Sequence, residues 1–224
     1  MGTQIGLTFL FLVVFLLLLV FVELVYRRLK LPGEVTRKLA HLTATLSTIT
    51  FPYLFTDHWY VLFLAVVFFF LLFASRGTAH LRSIHDIARI SAGSYLLPVA
   101  IYISFLVYTL TGDRFLFVVP MLVLAISDPV AGLLGLNITR FNHQIVLFGR
   151  PMGKTWLGSS AFFISAFLIG LIAHYYIRQQ FDLQSLGYSL LLALTATLAE
   201  LFSPRGTDNL SIPLSVLLVL LLIG

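Results

Sequence analysis

Long apolar runs, each closed by a short polar cluster, make up most of the chain. The first is unbroken from Ile5 to Tyr26 apart from Thr8 and Glu23. It is longer than a signal-peptide core and lacks a small-residue cleavage motif, so it reads as a retained helix. A helix needs about 20 apolar residues to cross the hydrocarbon core of a bilayer. On that measure the pattern predicts about eight membrane-spanning helices, at 4–26, 39–55, 58–74, 93–111, 115–135, 157–178, 184–202 and 209–223. The fifth contains Asp128 and Pro129. Proline has no N–H to donate, so a break or kink is expected there. The eighth is short and interrupted by Pro213. The fold expected is all-α: one polytopic membrane domain over residues 1–224, without internal repeats.

Charge placement sharpens this picture. The chain is 59% hydrophobic and 10% charged, against about 25% charged for a soluble domain. There is no cysteine, which excludes disulfides and thiolate metal sites. Lys and Arg alternate with the spans. Arg27, Arg28, Lys30, Arg37 and Lys38 lie in the first loop, Arg76, Arg82 and Arg89 in the third, Arg140, Arg150 and Lys154 in the fifth, and Arg205 in the seventh. The other side holds Arg114 and Arg178. Basic loops stay in the cytoplasm, so the N-terminus is expected outside. The net charge of +5 belongs to these loops, and no nucleic-acid partner is expected. The stretch 75–94 reads as an interfacial amphipathic segment, and 136–155 is the longest polar connection.

Four polar clusters fall on the basic side. In RKLAH, Arg37 and His41 are four residues apart and share a helix face, a pairing that suits an anionic phosphate. In SDPVAGLLG, Asp128 is a carboxylate among apolar residues, costly at membrane depth and therefore a functional candidate. Ala131, Gly132 and Gly135 beside it offer a small-residue face for a nucleotide or for another helix. GRPMGKT, at 149–155, looks like a phosphate loop but is not a Walker loop. The glycine required five positions before Gly153 falls at Phe148. Gly153, Lys154 and Thr155, followed by Gly158 and Ser159, can still present a cation and a helix start to an anion. Lastly, Glu200 precedes Arg205, Asp208 and Asn209. Two acids, an amide and an arginine at one boundary suit Mg²⁺ with phosphates, while Asp208 or Asn209 could instead cap the last helix.

These motifs, in this order, resemble those of the membrane-embedded CTP-dependent lipid kinases: dolichol kinase, phytol kinase and yeast-type diacylglycerol kinase. The matching positions are Arg37, Lys38 and His41; Asp128, Ala131 and Gly135; Lys154, Thr155 and Gly158; and Glu200, Asp208 and Asn209. Leu157 stands where that family has a glutamate, and the interval from Gly135 to Lys154 is longer than the family pattern. The resemblance implies a kinase moving the γ-phosphate of CTP to a lipid alcohol (a polyprenol, phytol or diacylglycerol) with Mg²⁺ held by Asp128, Glu200 and Asp208. It also implies catalytic roles for Arg37, Lys38, His41, Asp128, Lys154 and Glu200, and an integral multi-pass location with the active site facing the cytoplasm. That membrane would be the plasma membrane in a prokaryote and an endomembrane otherwise. Two alternatives stay open: a phosphatidate cytidylyltransferase-like enzyme, whose family shares the middle of this pattern, and a small non-enzymatic ion transporter. The lipid and the oligomeric state are not legible.

Overall fold

The structure is a computed structural model, and it describes residues 2–76, 81–85, 91–138, 142–147, 149–204 and 206–223. Eleven α-helices, two π-helical segments and one β-hairpin are found among them. In order these are α1 (Gly2–Leu29), α2 (Gly33–Thr48), α3 (Phe51–Leu54), α4 (His58–Ala74), α5 (Arg82–His85), α6 (Gly93–Thr111), α7 (Phe115–Leu122), a π segment (Val123–Ser127), α8 (Asp128–Asn137), β1 (Gln144–Leu147), β2 (Arg150–Thr155), α9 (Trp156–Ala173), a second π segment (His174–Arg178), α10 (Leu183–Phe202) and α11 (Asp208–Ile223).

Among the described residues, five stretches are long and apolar enough to cross a membrane: Gly2–Leu29, Gly93–Thr111, Phe115–Gly135, Trp156–Arg178 and Leu183–Phe202. His58–Ala74 and Asp208–Ile223 are shorter apolar helices. The chain is thus a helical, multi-pass membrane protein. The second expected span, 39–55, does not form one apolar helix. α2 begins six residues earlier, carries Arg37, Lys38, His41 and a run of threonines, and stops at Thr48. Residues 77–80 and 86–90 of the expected interfacial segment at 75–94, together with Arg140 and Arg205, lie outside the described residues.

Local chemistry sets the helix ends. The Asp57 carboxylate accepts from the Trp59 amide at 3.2 Å and starts α4. Asp182 and Ser185 form a reciprocal capping box at α10. Gly112, at φ +74°, closes α6 in the left-handed region that glycine enters without strain. Pro129 does not break the fifth span. The backbone stays right-handed helical through Ser127 and Asp128, and the irregularity falls just before the proline, in the π segment. A π turn leaves backbone carbonyls off the regular ladder.

The core lies where α4, α6, α7, α9, α10 and α11 meet. Phe51, Phe105, Phe117 and Phe162 are among its fully buried side chains. Phe51, Phe105 and Phe117 stack edge to face, with centroids 6.2 and 5.6 Å apart, the arrangement the ring quadrupole favours. α9 and α10 approach closely because Gly170 faces Ser189, whose Cβ would stand 3.0 Å from a Cβ placed on the glycine. Along α1, by contrast, only Thr8 and Val22 are buried. Its exposed Phe9, Leu17 and Phe21 are an apolar surface fit for lipid rather than water.

Candidate active site

Two elements of the site come from the connection at 136–155, which its sequence presents as a polar loop. It folds instead into an antiparallel hairpin, with Gln144 opposite Thr155 and Leu147 opposite Arg150. Gly149 takes φ +75° at the turn, a conformation open to glycine. Asn142 ties the hairpin down: its Nδ2 donates to the Gly135 carbonyl at 2.8 Å, and its Oδ1 accepts from the Leu157 amide at 3.4 Å. Asn142 is a structural residue of the site that no motif pointed to. β2 delivers Lys154 to the bundle, and Thr155 then caps α9 by accepting from the Gly158 amide at 3.2 Å. The first amides of α9, candidates for phosphate from sequence, are therefore already engaged by Asn142 and Thr155.

Lys154 projects toward the end of α10 and the start of α11. Its Nζ lies 2.5 Å from Glu200 Oε1 and 3.5 Å from Asp208 Oδ2. Glu200 is only 3% exposed, and its other oxygen accepts from Ser159 Oγ at 3.4 Å. Burial alone would lower the pKa of Lys154, but the Asp208 and Glu200 carboxylates outweigh it and hold the ammonium above the ordinary lysine value. A raised folded-state pKa contributes stability that is complete below the unfolded value and is lost as pH rises through the folded one. The stability advantage of wild type over a Lys154→Met/Glu200→Gln double variant should hold flat up to the ordinary value of 10.5 and shrink only above it. Thermal unfolding in detergent across pH 7 to 11.5 reads this directly.

A second ion pair faces the first. Lys38 on α2 is buried, with Nζ 3.6 Å from Asp128 Oδ2 and 3.1 Å from the Asp128 carbonyl. The ammonium has room there because residue 132 is glycine: a Cβ at Gly132 would stand 2.0 Å from Nζ. Gly132→Ala should push the flexible Lys38 head aside and leave the helices in place. A lost charge-assisted bond is worth about 1.5–3 kcal/mol, so the unfolding midpoint measured by thermal unfolding in detergent should fall by the equivalent of that amount. Gly135 and Gly158 serve packing as well. Their α-carbons let α8 and α9 close up, and a Cβ on Gly158 would meet the Ala131 carbonyl at 3.0 Å.

Both pairs line one cavity of ≈ 480 Å³. Its walls hold Arg37, Lys38, Asp128, Ala131, Gly132, Gly135, Gly153, Lys154, Thr155, Gly158, Ser159, Glu200 and Asp208, and also Pro32, Gly33 and Glu34, which sequence did not single out. Glu34 Oε2 accepts from Arg37 at 3.0 Å. His41 and Asn209 stand outside this cavity, on an adjoining apolar groove that shares Arg37 with it. Arg178 pairs with Asp113, and Arg114 sits over the Tyr53 ring; neither lines the cavity.

The three acids expected to hold a metal all line this cavity: Asp128 pairs with Lys38, and Glu200 and Asp208 pair with Lys154. Among the described residues no three acids or histidines gather closely enough to hold an ion. The donor set still fits a Mg²⁺ that arrives on phosphates and takes one or two carboxylates, the usual habit of that ion.

Fold and site thus define a membrane protein with a charged cavity at one end of its helices. A 92-residue stretch is 36% identical to a protein of wheat, Triticum aestivum, named "Probable phytol kinase, chloroplastic". That stretch is 38% of this chain and 30% of the wheat protein, so the chain matches under a third of its relative's length. No family model matches the chain, and no solved structure does.

Proposed function

We propose that the protein is a lipid kinase that moves the γ-phosphate of CTP to a lipid alcohol at the boundary of its membrane. The observation that carries this reading is the cavity itself. Phosphoryl transfer is achieved by positioning and charge neutralisation, and here Lys38, Lys154 and Arg37 line one space with Asp128, Glu200 and Asp208. The similarity to a protein named as a phytol kinase supports the lipid alcohol as acceptor.

In this reading the phosphates lie between Lys154 and Lys38. Arg37, fixed by Glu34, neutralises charge on the transferring group. Asp128, with Glu200 or Asp208, would hold Mg²⁺, which would add Lewis-acid neutralisation of the phosphate oxygens. The lysines now paired with these acids turn to the phosphates when the nucleotide enters. The basic loops support a cavity on the cytoplasmic side and an N-terminus outside.

Purified protein in nanodiscs, given CTP labelled at the γ or the α position and a panel of lipid alcohols, tests the reaction. Kinase activity puts γ label and no α label into lipid. Incorporation of α label from CTP and a lipid phosphate would instead favour a cytidylyltransferase, and no consumption of nucleotide with any acceptor would refute the proposal. ATP and GTP in place of CTP test the choice of base.

A further inference from the structure

The polar cavity does not stand alone. Beside it runs a narrow apolar groove of ≈ 100 Å³ between α1, α2, α4 and α6. Along α2 it follows Arg37, Ala40, His41, Ala44 and Thr48, one face of the helix at three- and four-residue spacing. From Arg37 to Thr48 that face is about 16 Å long at 1.5 Å per residue. Its opposite walls are aromatic and aliphatic, Phe15, Leu64, Phe68 and Leu97 among them. Its polar residues besides Arg37 and Thr48 are His41, Ser94 and Asn209.

Two polar atoms on this groove are buried without a hydrogen-bond partner: His41 Nδ1 and Ser94 Oγ. An unpaired buried polar group costs roughly 1–3 kcal/mol, so each invites a ligand atom. The state of His41 follows from its other nitrogen. Nε2 lies 3.3 Å from the carbonyl of Leu124, in the π segment. A carbonyl only accepts, so Nε2 carries the proton and neutral His41 offers a bare lone pair at Nδ1. Asn209, whose Nδ2 donates to the Gly93 carbonyl at 2.7 Å, and Gly93, where a Cβ would stand 3.5 Å from an Arg37 terminal nitrogen, bring α6 and α11 up to the same corner. An unpaired lone pair on a residue lining an apolar groove that shares Arg37 with the charged cavity is an arrangement for a hydroxyl with a long hydrocarbon tail.

We propose that this groove seats the tail of a single-chain lipid alcohol, with its hydroxyl donating to His41 Nδ1 at the Arg37 corner. The inference rests on the kinase reading and deepens it by separating the acceptor site from the nucleotide site. In the reaction the alcohol oxygen forms a bond to the γ-phosphorus. The bond from that phosphorus to the β,γ-bridging oxygen breaks, and its electron pair leaves with the nucleoside diphosphate. The hydroxyl proton passes to His41 Nδ1. The ester carbonyls of a diacylglycerol would have to be desolvated among phenylalanines and leucines, a cost that a monohydric alcohol with one hydrocarbon chain avoids.

The test uses the full chain in nanodiscs and a photoreactive long-chain monohydric alcohol, with adducts mapped by mass spectrometry. Adducts should fall on α2, α4 or α6, and should be lost in Ala44→Phe, which fills the slot. In the same variant, CTP affinity should stay within twofold and kcat/KM for the alcohol should fall at least tenfold. His41→Gln keeps a donor for the Leu124 carbonyl and removes the Nδ1 lone pair. It should lower kcat by about 10²–10³, erase the acid limb of the pH profile, and leave the KM for CTP unchanged. Adducts elsewhere, an unaffected Ala44→Phe, or a preference for diacylglycerol over single-chain alcohols would overturn the acceptor groove while leaving the kinase reading intact. Adducts in the groove with no CTP-dependent phosphorylation would sink the kinase reading alone.

Discussion

Lys154→Met is expected to abolish phosphoryl transfer and to weaken the fold at the same time. The side chain is held by two carboxylates, and one of them, Glu200, is almost wholly buried. Removing one partner of a buried pair leaves the other charge uncompensated, at a cost of about 3–5 kcal/mol. Losing a preorganised cation from a phosphate site adds a rate loss of about 10²–10³. The two effects separate in the double variant Lys154→Met/Glu200→Gln, which removes the more deeply buried of the two carboxylates left without a cation and leaves Asp208. Its unfolding midpoint should recover part of the way toward wild type, and its transfer rate should not recover. Midpoints from thermal unfolding, set beside γ-label transfer, check both halves. A single variant with full activity would show that Lys154 is only a structural strut.

Asp128→Asn is the cleaner probe, because it changes charge and almost no volume. The Lys38 ammonium keeps its 3.1 Å bond to the backbone carbonyl of residue 128, so the local fold should survive. The lost carboxylate removes the partner 3.6 Å from Lys38 and a candidate Mg²⁺ ligand together. Transfer should fall about 10²–10³-fold, with the apparent Mg²⁺ requirement shifted to higher concentration and the unfolding midpoint little changed. A variant that kept its Mg²⁺ dependence and its rate would remove Asp128 from the chemistry.

The apolar helices were legible because their signal is large. Gly93–Thr111 and Leu183–Phe202 fall within a residue of the stretches their hydropathy marks out. α2 escaped because polar residues interrupt its apolar face. Continuous apolar residues begin only at Leu39, whereas the helix that forms the cavity wall starts at Gly33 and carries Arg37 and Lys38 in its second turn. The hairpin escaped for a different reason. Its strands are only Gln144–Leu147 and Arg150–Thr155, too short for alternation to register, and Gly149 between them was the one available turn signal. The site residues themselves were mostly readable, since a charge in an apolar chain needs a partner. Which partner was not readable. Lys38 with Asp128 and Lys154 with Glu200 are pairings across 90 and 46 positions, set by how α8, α10 and β2 pack. The division of Arg37 and His41 between a charged cavity and an apolar groove depends on the same packing.

In the proposed kinase, one cavity, walled by α2, α8, β2 and the α10–α11 junction, takes the triphosphate. Photolabelling with a CTP analogue reactive at its γ-phosphate reads this directly. Adducts are expected on Arg37, Lys38, Lys154 or their immediate neighbours, protected by unmodified CTP. Adducts clustered around Asp113 and Arg178, or labelling that CTP does not compete away, would contradict it.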